Sequence, residues 1–426
     1  MNSLRVRIGI LGMVLLAGLA VPTTAATAQG ASTPTAEERR LDRAAPQQIL
    51  RRSGFDSVAS DFVHDLARAH AFERARGLVV RDGTALWRRA VDWAQGRGSA
   101  SGDLGRDDDR PLYWARLGMT RAVRTWEPGF GLSDTQRSAL LDQLERTSRG
   151  QTDIRYPSRA TGIKRILVTG FDPFTLDKDS RISNPSGAAA LALDGTVIQT
   201  NSGPARIEAV TFPVRWQDFA KGTVERTLAP YLPKVDLYTT VSQGRVGRFD
   251  VERTNGAWRG GYPDNDNISS TGTVPVATPA AQPQWTSTTL PYKAMVTART
   301  GRFPGYDHTE VTEIPAGSTE PVVRPDGPTP GSTAREGGGG NYLSNEIAYR
   351  ATLLRDRLGL HDRLPGGHLH TPVLQFGAGN TDPATGTITD PQFVQNRLDI
   401  VAQLRAILTV AANAENAANA ESAALK

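Results

Sequence analysis

Lys164-Arg165-Ile166-Leu167-Val168-Thr169-Gly170-Phe171 is the stretch that decides how the rest of the chain is read. A short apolar run that ends in a turn has the length and composition of a strand buried on both faces. Just downstream, Asn184-Pro185-Ser186 supplies an N-cap and an N1 proline to an Ala/Leu-rich stretch, and Asp194-Gly195 stops it. Strand-like runs recur at 207–214, 235–242 and 368–374. Helix-like runs lie at 216–228, 290–299, 343–358 and 393–408. Strands alternating with helices predict an α/β domain over residues 161–410, an open twisted sheet of mostly parallel strands with helices on both faces. In such a sheet ligands bind beyond the carboxyl ends of the strands.

Upstream of this strand the periodicity is different. Phe55, Val58, Phe62 and Leu66, then Trp87 and Val91, recur at three- and four-residue intervals among Arg-rich polar positions. That pattern predicts a smaller all-helical domain over 29–160. Ser133 and Gln136 form a capping box before the run Leu140, Leu141, Leu144, and Gly150 ends it. Tyr113, Trp114 and Trp126 read as core rather than as a ligand platform. At the amino terminus Arg5 and Arg7 precede an apolar run over 8–21, and Ala26-Thr27-Ala28 has the small-x-small form of a cleavage site. The expectation is a secretory signal peptide over 1–28 and a secreted protein; the run is too short for a stable membrane anchor. Two further segments stand apart: 301–340, rich in Gly and Pro and closed by Gly337-Gly338-Gly339-Gly340, predicts a flexible insertion or lid, and 411–426 is a low-complexity tail, a frayed helix or a disordered end.

The 426 residues exceed the size of one compact domain. The 49 Lys and Arg outnumber the 44 Asp and Glu by only 5 and are spread along the chain, so charge does not point to a nucleic-acid partner. Cysteine is absent, which excludes disulfides, thiolate metal sites and a cysteine nucleophile. A serine acts as nucleophile only when a base removes its proton and a third group orients that base. In the second half Ser344, His370 and Glu252 can fill these three roles. There are only six histidines, and His368 and His370, two apart in a strand, share one face, so alternation does not choose between them.

Several separate motifs resemble those of the pyroglutamyl peptidases, also called pyrrolidone-carboxylate peptidases, which are cysteine peptidases of open α/β fold. Gly170-Phe171-Asp172-Pro173-Phe174 resembles the family's G-F-x-P-F loop, and Asn184-Pro185-Ser186 its N-P-S. Glu252-Arg253, Pro263-Asp264-Asn265 and Thr289-Leu290-Pro291 are similar to its E-R, P-D-N and T-L-P elements. Gly340-Asn341-Tyr342-Leu343-Ser344-Asn345 resembles its G-x-Y-x-C-N, and His370-Thr371-Pro372 the H-x-P of its catalytic histidine, which selects His370 over His368. The order matches too, and the resemblance covers 164–408.

The resemblance implies roles residue by residue. Glu252 is the triad carboxylate, His370 the base, and Phe171 and Phe174 are aromatic walls of a pocket for a five-membered lactam. The implied reaction is hydrolysis of the bond after an amino-terminal pyroglutamyl group of a peptide, with no metal or organic cofactor. It leaves the oligomeric state open. Ser344 stands where the family has its cysteine. A helix N-terminus, worth at most about 2 kcal/mol, helps a thiol ionise but not an alcohol. Ser344 therefore depends on His370 to take its proton and on backbone N–H groups at its helix start to bind an oxyanion. The family's arginine before P-D-N is missing, and Arg259 is the substitute expected for the oxyanion. The alternative is an inactive domain of the same fold that binds peptide ends or lactams, with Ser344 a helix cap.

Overall fold

The computed structural model describes residues 33–98 and 102–424, with side chains described to residue 414. The expected signal peptide, 1–28, lies outside the described residues.

Residues 33–150 fold as helices: α1 (Ala36–Arg39), α2 (Ala44–Ser53), α3 (Val58–Leu66), α4 (Phe72–Ala94), α5 (Arg110–Thr125) and α6 (Asp134–Thr147). Their apolar stripes meet in one core that includes Phe62, Leu66, Trp87, Leu140 and Leu144. Ser133 and Gln136 form the capping box that starts α6, which satisfies two of the N–H groups a helix end leaves open. Tyr113 and Trp114 are buried in this core, and Trp126 packs against it.

The second half is built on a seven-stranded sheet. Its first strands are β1 (Lys164–Phe171), β2 (Val197–Thr200), β3 (Gly203–Phe212), β4 (Leu237–Gln243) and β5 (Phe249–Glu252). Four short strands follow in two small ribbons, β6 (Thr254–Gly256) with β9 (Trp285–Ser287) and β7 (Trp258–Gly260) with β8 (Thr271–Thr273). Then come β10 (Gly305–His308), β11 (Val311–Ile314), β12 (Val322–Arg324), β13 (Thr333–Glu336) and β14 (Gly366–Thr371). The order across the main sheet is β10-β5-β14-β4-β1-β3-β2. β1 is parallel to β3 and β4, β14 to β4, and β10 to β5; only β2–β3 and β5–β14 run antiparallel. β1 is buried along its length after Lys164, as a central strand covered on both sides must be.

Helices α7 (Pro185–Leu193) and α12 (Pro391–Ala424) cover one face through Ala189, Leu193, Ile400 and Leu404, together with Met295 of α10 (Tyr292–Thr297). The other face is covered by α8 (Trp216–Ala220), α9 (Thr223–Leu228) and α11 (Leu343–Arg357), through Phe219, Val224, Ile347 and Ala351. α7 starts as its sequence indicates, with the Asn184 side chain accepting from Ser186 N at 3.1 Å and Pro185 in the first turn. The stretch 216–228 is two helices rather than one, because Gly222 takes a left-handed conformation (φ 75°) between them.

Residues 301–340 correct the expectation of a flexible loop. They contain β10, which joins the edge of the main sheet, and a separate three-stranded sheet, β12-β11-β13. Glycines and prolines punctuate these short strands, while buried Glu313 accepts from Arg324 Nε at 2.9 Å and Thr329 N at 2.6 Å and ties the segment together. The tail is helical in α12 as far as Ala424. Among the described residues no helix is long and apolar enough to cross a membrane.

Candidate active site

Sheet register brings the reactive side chains together. In the antiparallel pair β5–β14, Glu252 lies opposite His368, and in the parallel pair β10–β5 it lies opposite His308. Directly paired residues point to one face, and so does His370, two residues beyond His368. Glu252 is completely buried, and each of its oxygens meets one imidazole: Oε1 accepts from His370 Nδ1 at 2.7 Å and Oε2 from His308 Nδ1 at 2.6 Å. Burial would raise the Glu252 carboxyl, but the hydrogen bonds from His308 and His370 outweigh it and hold the group well below the usual carboxylate range.

The two neighbouring histidines differ in surroundings. His368 is fully buried, with Thr240 Oγ1 at 2.8 Å from Nδ1 and Ser242 Oγ at 2.8 Å from Nε2. Burial first, and then the adjacent His370, push it well below its ordinary value, so it stays neutral. His370 has its Nδ1 taken by Glu252 and lines a cavity of about 320 Å³. A carboxylate is an acceptor only, so the His370 proton sits on Nδ1 and the lone pair of Nε2 is left for chemistry.

The cavity opens beyond the carboxyl ends of β1, β4 and β14. Phe171, Phe174, Asn184, Gly244, Arg245 and Gly338–Gly340 line it together with Ser344 and His370. β1 and β4 are neighbours whose onward connections leave to opposite sides of the sheet, the switch point at which doubly wound sheets bind ligands. Ser344 sits in the first turn of α11, and its Oγ donates to Gly339 O at 2.9 Å. The first-turn N–H groups of a helix have no partner inside it, so the start of α11 can receive negative charge. Asn345 anchors this turn, accepting from Gly256 N at 2.9 Å and donating to Gly256 O at 2.7 Å. The glycine run allows close approach: a Cβ on Gly338 would stand 2.1 Å from Glu252 Oε2.

The structure thus gathers Glu252, His370, Ser344, Phe171 and Phe174 about one cavity. It does not bring Arg259 there. Arg259 donates from Nε and Nη2 to the two oxygens of Glu346, each at 2.6 Å, and from Nη1 to Ser270 Oγ at 3.1 Å. Glu346 lies two residues after Ser344 on α11 and is fully buried, so it captures the guanidinium as its counter-charge. Two polar neighbours of the site went unread in the sequence, His308 and Arg245. Their signals were the scarcity of histidine and a cation in the turn after a strand. Among the described residues no cluster of His, Asp and Glu side chains is arranged to hold a metal ion.

The helical half reaches the loop that carries the two phenylalanines. Asp172, between the two phenylalanines, accepts from Arg116 Nη2 at 2.7 Å and Arg149 Nη1 at 2.6 Å. Asp109 receives the Ser183 hydroxyl and, at 3.0 Å, the Asn184 N–H; Asn184 in turn donates to Asp172 O at 2.9 Å. Asn265 of the P-D-N element donates to Pro173 O at 2.9 Å and to Glu37 Oε1 at 3.1 Å. The aromatic loop is therefore held from both halves of the chain.

Comparison with known proteins follows the same division. Somewhat over half of the chain is similar to solved structures of pyroglutamyl peptidases. A mutant pyrrolidone carboxyl peptidase of Pyrococcus furiosus is 22% identical, with 58% of this chain and 97% of that one covered and a TM-score of 0.39. Pyroglutamyl peptidase I of Bacillus amyloliquefaciens is 19% identical, with 59% and 98% covered and a TM-score of 0.39. The pyrrolidone carboxyl peptidase of Thermococcus litoralis is 19% identical, with 58% and 93% covered, again at 0.39. Over nearly the whole chain the similarity is to the uncharacterized protein PA0049 of Pseudomonas aeruginosa, 33% identical with 89% of each chain covered. The PA0049 N-terminal domain matches residues 20–145, and the PA0049 C-terminal domain matches 165–279 and 302–375. With both domains matched in order, this chain belongs to the PA0049 family.

Proposed function

We propose that this protein is an exported hydrolase that removes amino-terminal pyroglutamyl groups from peptides, with Ser344 as nucleophile. The observation that carries the reading is the 2.7 Å bond from His370 Nδ1 to buried Glu252, beside a cavity that His370 and Ser344 both line. The Ser344 hydroxyl turns from Gly339 O to His370 Nε2, gives up its proton and attacks the lactam-bearing acyl carbon. The oxyanion is received by N–H groups at the start of α11. The imidazolium, held by Glu252, then returns the proton to the leaving amine, and water hydrolyses the acyl-serine ester by the same base. Phe171 and Phe174 flank the five-membered ring. An alcohol suits an exported enzyme, since it escapes the oxidation that a thiolate would suffer.

One observation favours a second reading, in which the domain binds a peptide end or lactam without turnover: Ser344 Oγ donates to Gly339 O at 2.9 Å and not to His370. Turnover of a chromogenic pyroglutamyl amide by the protein beside S344A and S344C separates the two. The hydrolase reading expects activity that S344A abolishes. Equal rates in wild type and S344A remove the serine from the mechanism. Calorimetric binding of a pyroglutamyl peptide with no turnover by wild type, and activity gained by S344C, support the binding domain.

A further inference from the structure

We propose that His308 is a positioning residue of this site: together with Arg245 it locks Glu252, so that the base is oriented by a chain Arg245–His308–Glu252–His370 rather than by a lone carboxylate. The kinetic part of this inference rests on the hydrolase reading above; the geometric part does not.

A glutamate carboxylate turns readily about its last torsion. With one oxygen unclaimed, Glu252 has no reason to keep Oε1 on His370. Here Oε2 is claimed by His308 Nδ1 at 2.6 Å, on the side away from His370. The direction of that bond is set in turn. A guanidinium has no acceptor, so Arg245 Nη2, 2.9 Å from His308 Nε2, must donate there. This makes Nε2 the acceptor and leaves the His308 ring proton on Nδ1, aimed at Glu252. Arg245 is itself braced, with Nη1 donating to Asp250 Oδ2 at 3.1 Å. His308 thus has its ring donor and its ring acceptor each used once, and each Glu252 oxygen holds one imidazole, the condition under which a buried polar network is rigid.

His308 acts through Glu252 and not on a ligand. It does not line the cavity, whereas Arg245 does. It is brought in by β10, which pairs with β5 at the sheet edge opposite Glu252. Segment 301–340 therefore supplies a member of the site, not a cover over it.

The test pairs kinetics with nitrogen-15 NMR of histidine-labelled protein, in which only six histidines contribute. In wild type the Nδ1 protons of His308 and His370 should both appear as protected, downfield signals. In His308→Ala the His370 signal should broaden into exchange, and kcat should fall about 10- to 100-fold with KM nearly unchanged, the scale seen for groups that orient a reactive ligand. His308→Asn puts an amide N–H where Nδ1 stood and should restore both; His308→Gln puts it at the Nε2 end and should not. If His308→Ala does not fold, the Asn and Gln pair carries the test. Equal behaviour of that pair, or an unchanged His370 signal in His308→Ala, overturns the proposal. Loss of the His370 signal in a protein whose wild type turns over no pyroglutamyl amide keeps His308 in its role and discards the hydrolase reading. An active wild type with an unaffected His308→Ala does the reverse.

Discussion

In the helical half Arg116, Arg149 and Glu145 close on one another and on Asp172, whereas in the α/β half Glu252 is buried beneath a cavity with two imidazoles for hydrogen-bond partners and the Arg245 guanidinium 3.8 Å from Oε1. The first arrangement satisfies ionised groups with ionised groups. Burial would raise the Glu145 carboxyl, but Arg215, Arg149 and Arg116 hold it far below the usual range. The second leaves one partner, His370, with a lone pair still unused. A buried cluster of paired charges fixes a loop; one that leaves an imidazole lone pair free can move a proton. The two halves therefore contribute different things around one cavity: the helical half braces the loop that carries the aromatic wall, and the sheet supplies the chemistry.

The largest effect should come from Glu252→Gln. The amide offers one acceptor to two imidazole N–H donors, so His370 loses its tautomer, and kcat should drop about 10³- to 10⁴-fold, the scale of the equivalent change in other triads. Steady-state rates on a pyroglutamyl amide check this, and an unchanged rate would detach the carboxylate from the chemistry. Next, Asp172→Ala strands Arg116 and Arg149 in the interior and should cost about 3–5 kcal/mol in denaturant unfolding. It should also raise KM by loosening Phe171 and Phe174. A stability loss with KM unmoved would show that the helical half supports the fold without shaping the pocket.

The third test concerns the seam between the halves. Asp194 accepts from Trp87 Nε1 of the helical half at 3.3 Å and from Ala209 N at 2.8 Å. Burial, and behind it the Glu208 carboxylate, push its carboxyl up to about 7 against the opposing Ala209 hydrogen bond. Since the folded value is raised, the stability it confers is whole below the unfolded value near 4 and is lost as pH rises through about 7. The stability of wild type minus that of Asp194→Asn should therefore fall by about 2–4 kcal/mol between pH 4 and pH 8, measured by urea unfolding. A flat difference would mean that the seam is solvated. The smallest change is Phe174→Ala, expected to raise KM about tenfold with kcat nearly kept, as for loss of about 1.4 kcal/mol of uniform apolar binding.

Residues 1–28 are read from sequence as an export signal, and fractionation of an epitope-tagged chain into cytoplasmic and exported pools checks that expectation.

What the sequence determined by itself was local: the apolar run of β1, the N-cap at Asn184, the Ser133 capping box, the alternation of strand and helix, and the ordered motifs that single out Glu252, Ser344 and His370. These are encoded within a few residues, where periodicity and hydrogen-bond capping act directly on the backbone. Only the tertiary structure decided which distant charges meet. The β10–β5 register set His308 opposite Glu252, buried Glu346 drew Arg259 away from the cavity, and Arg116 and Arg149 crossed from the helical half to Asp172. The physical reason is that a buried charge must find a partner anywhere in space, and proximity in space between segments far apart in the chain is set by strand pairing and packing rather than by any pattern along the chain.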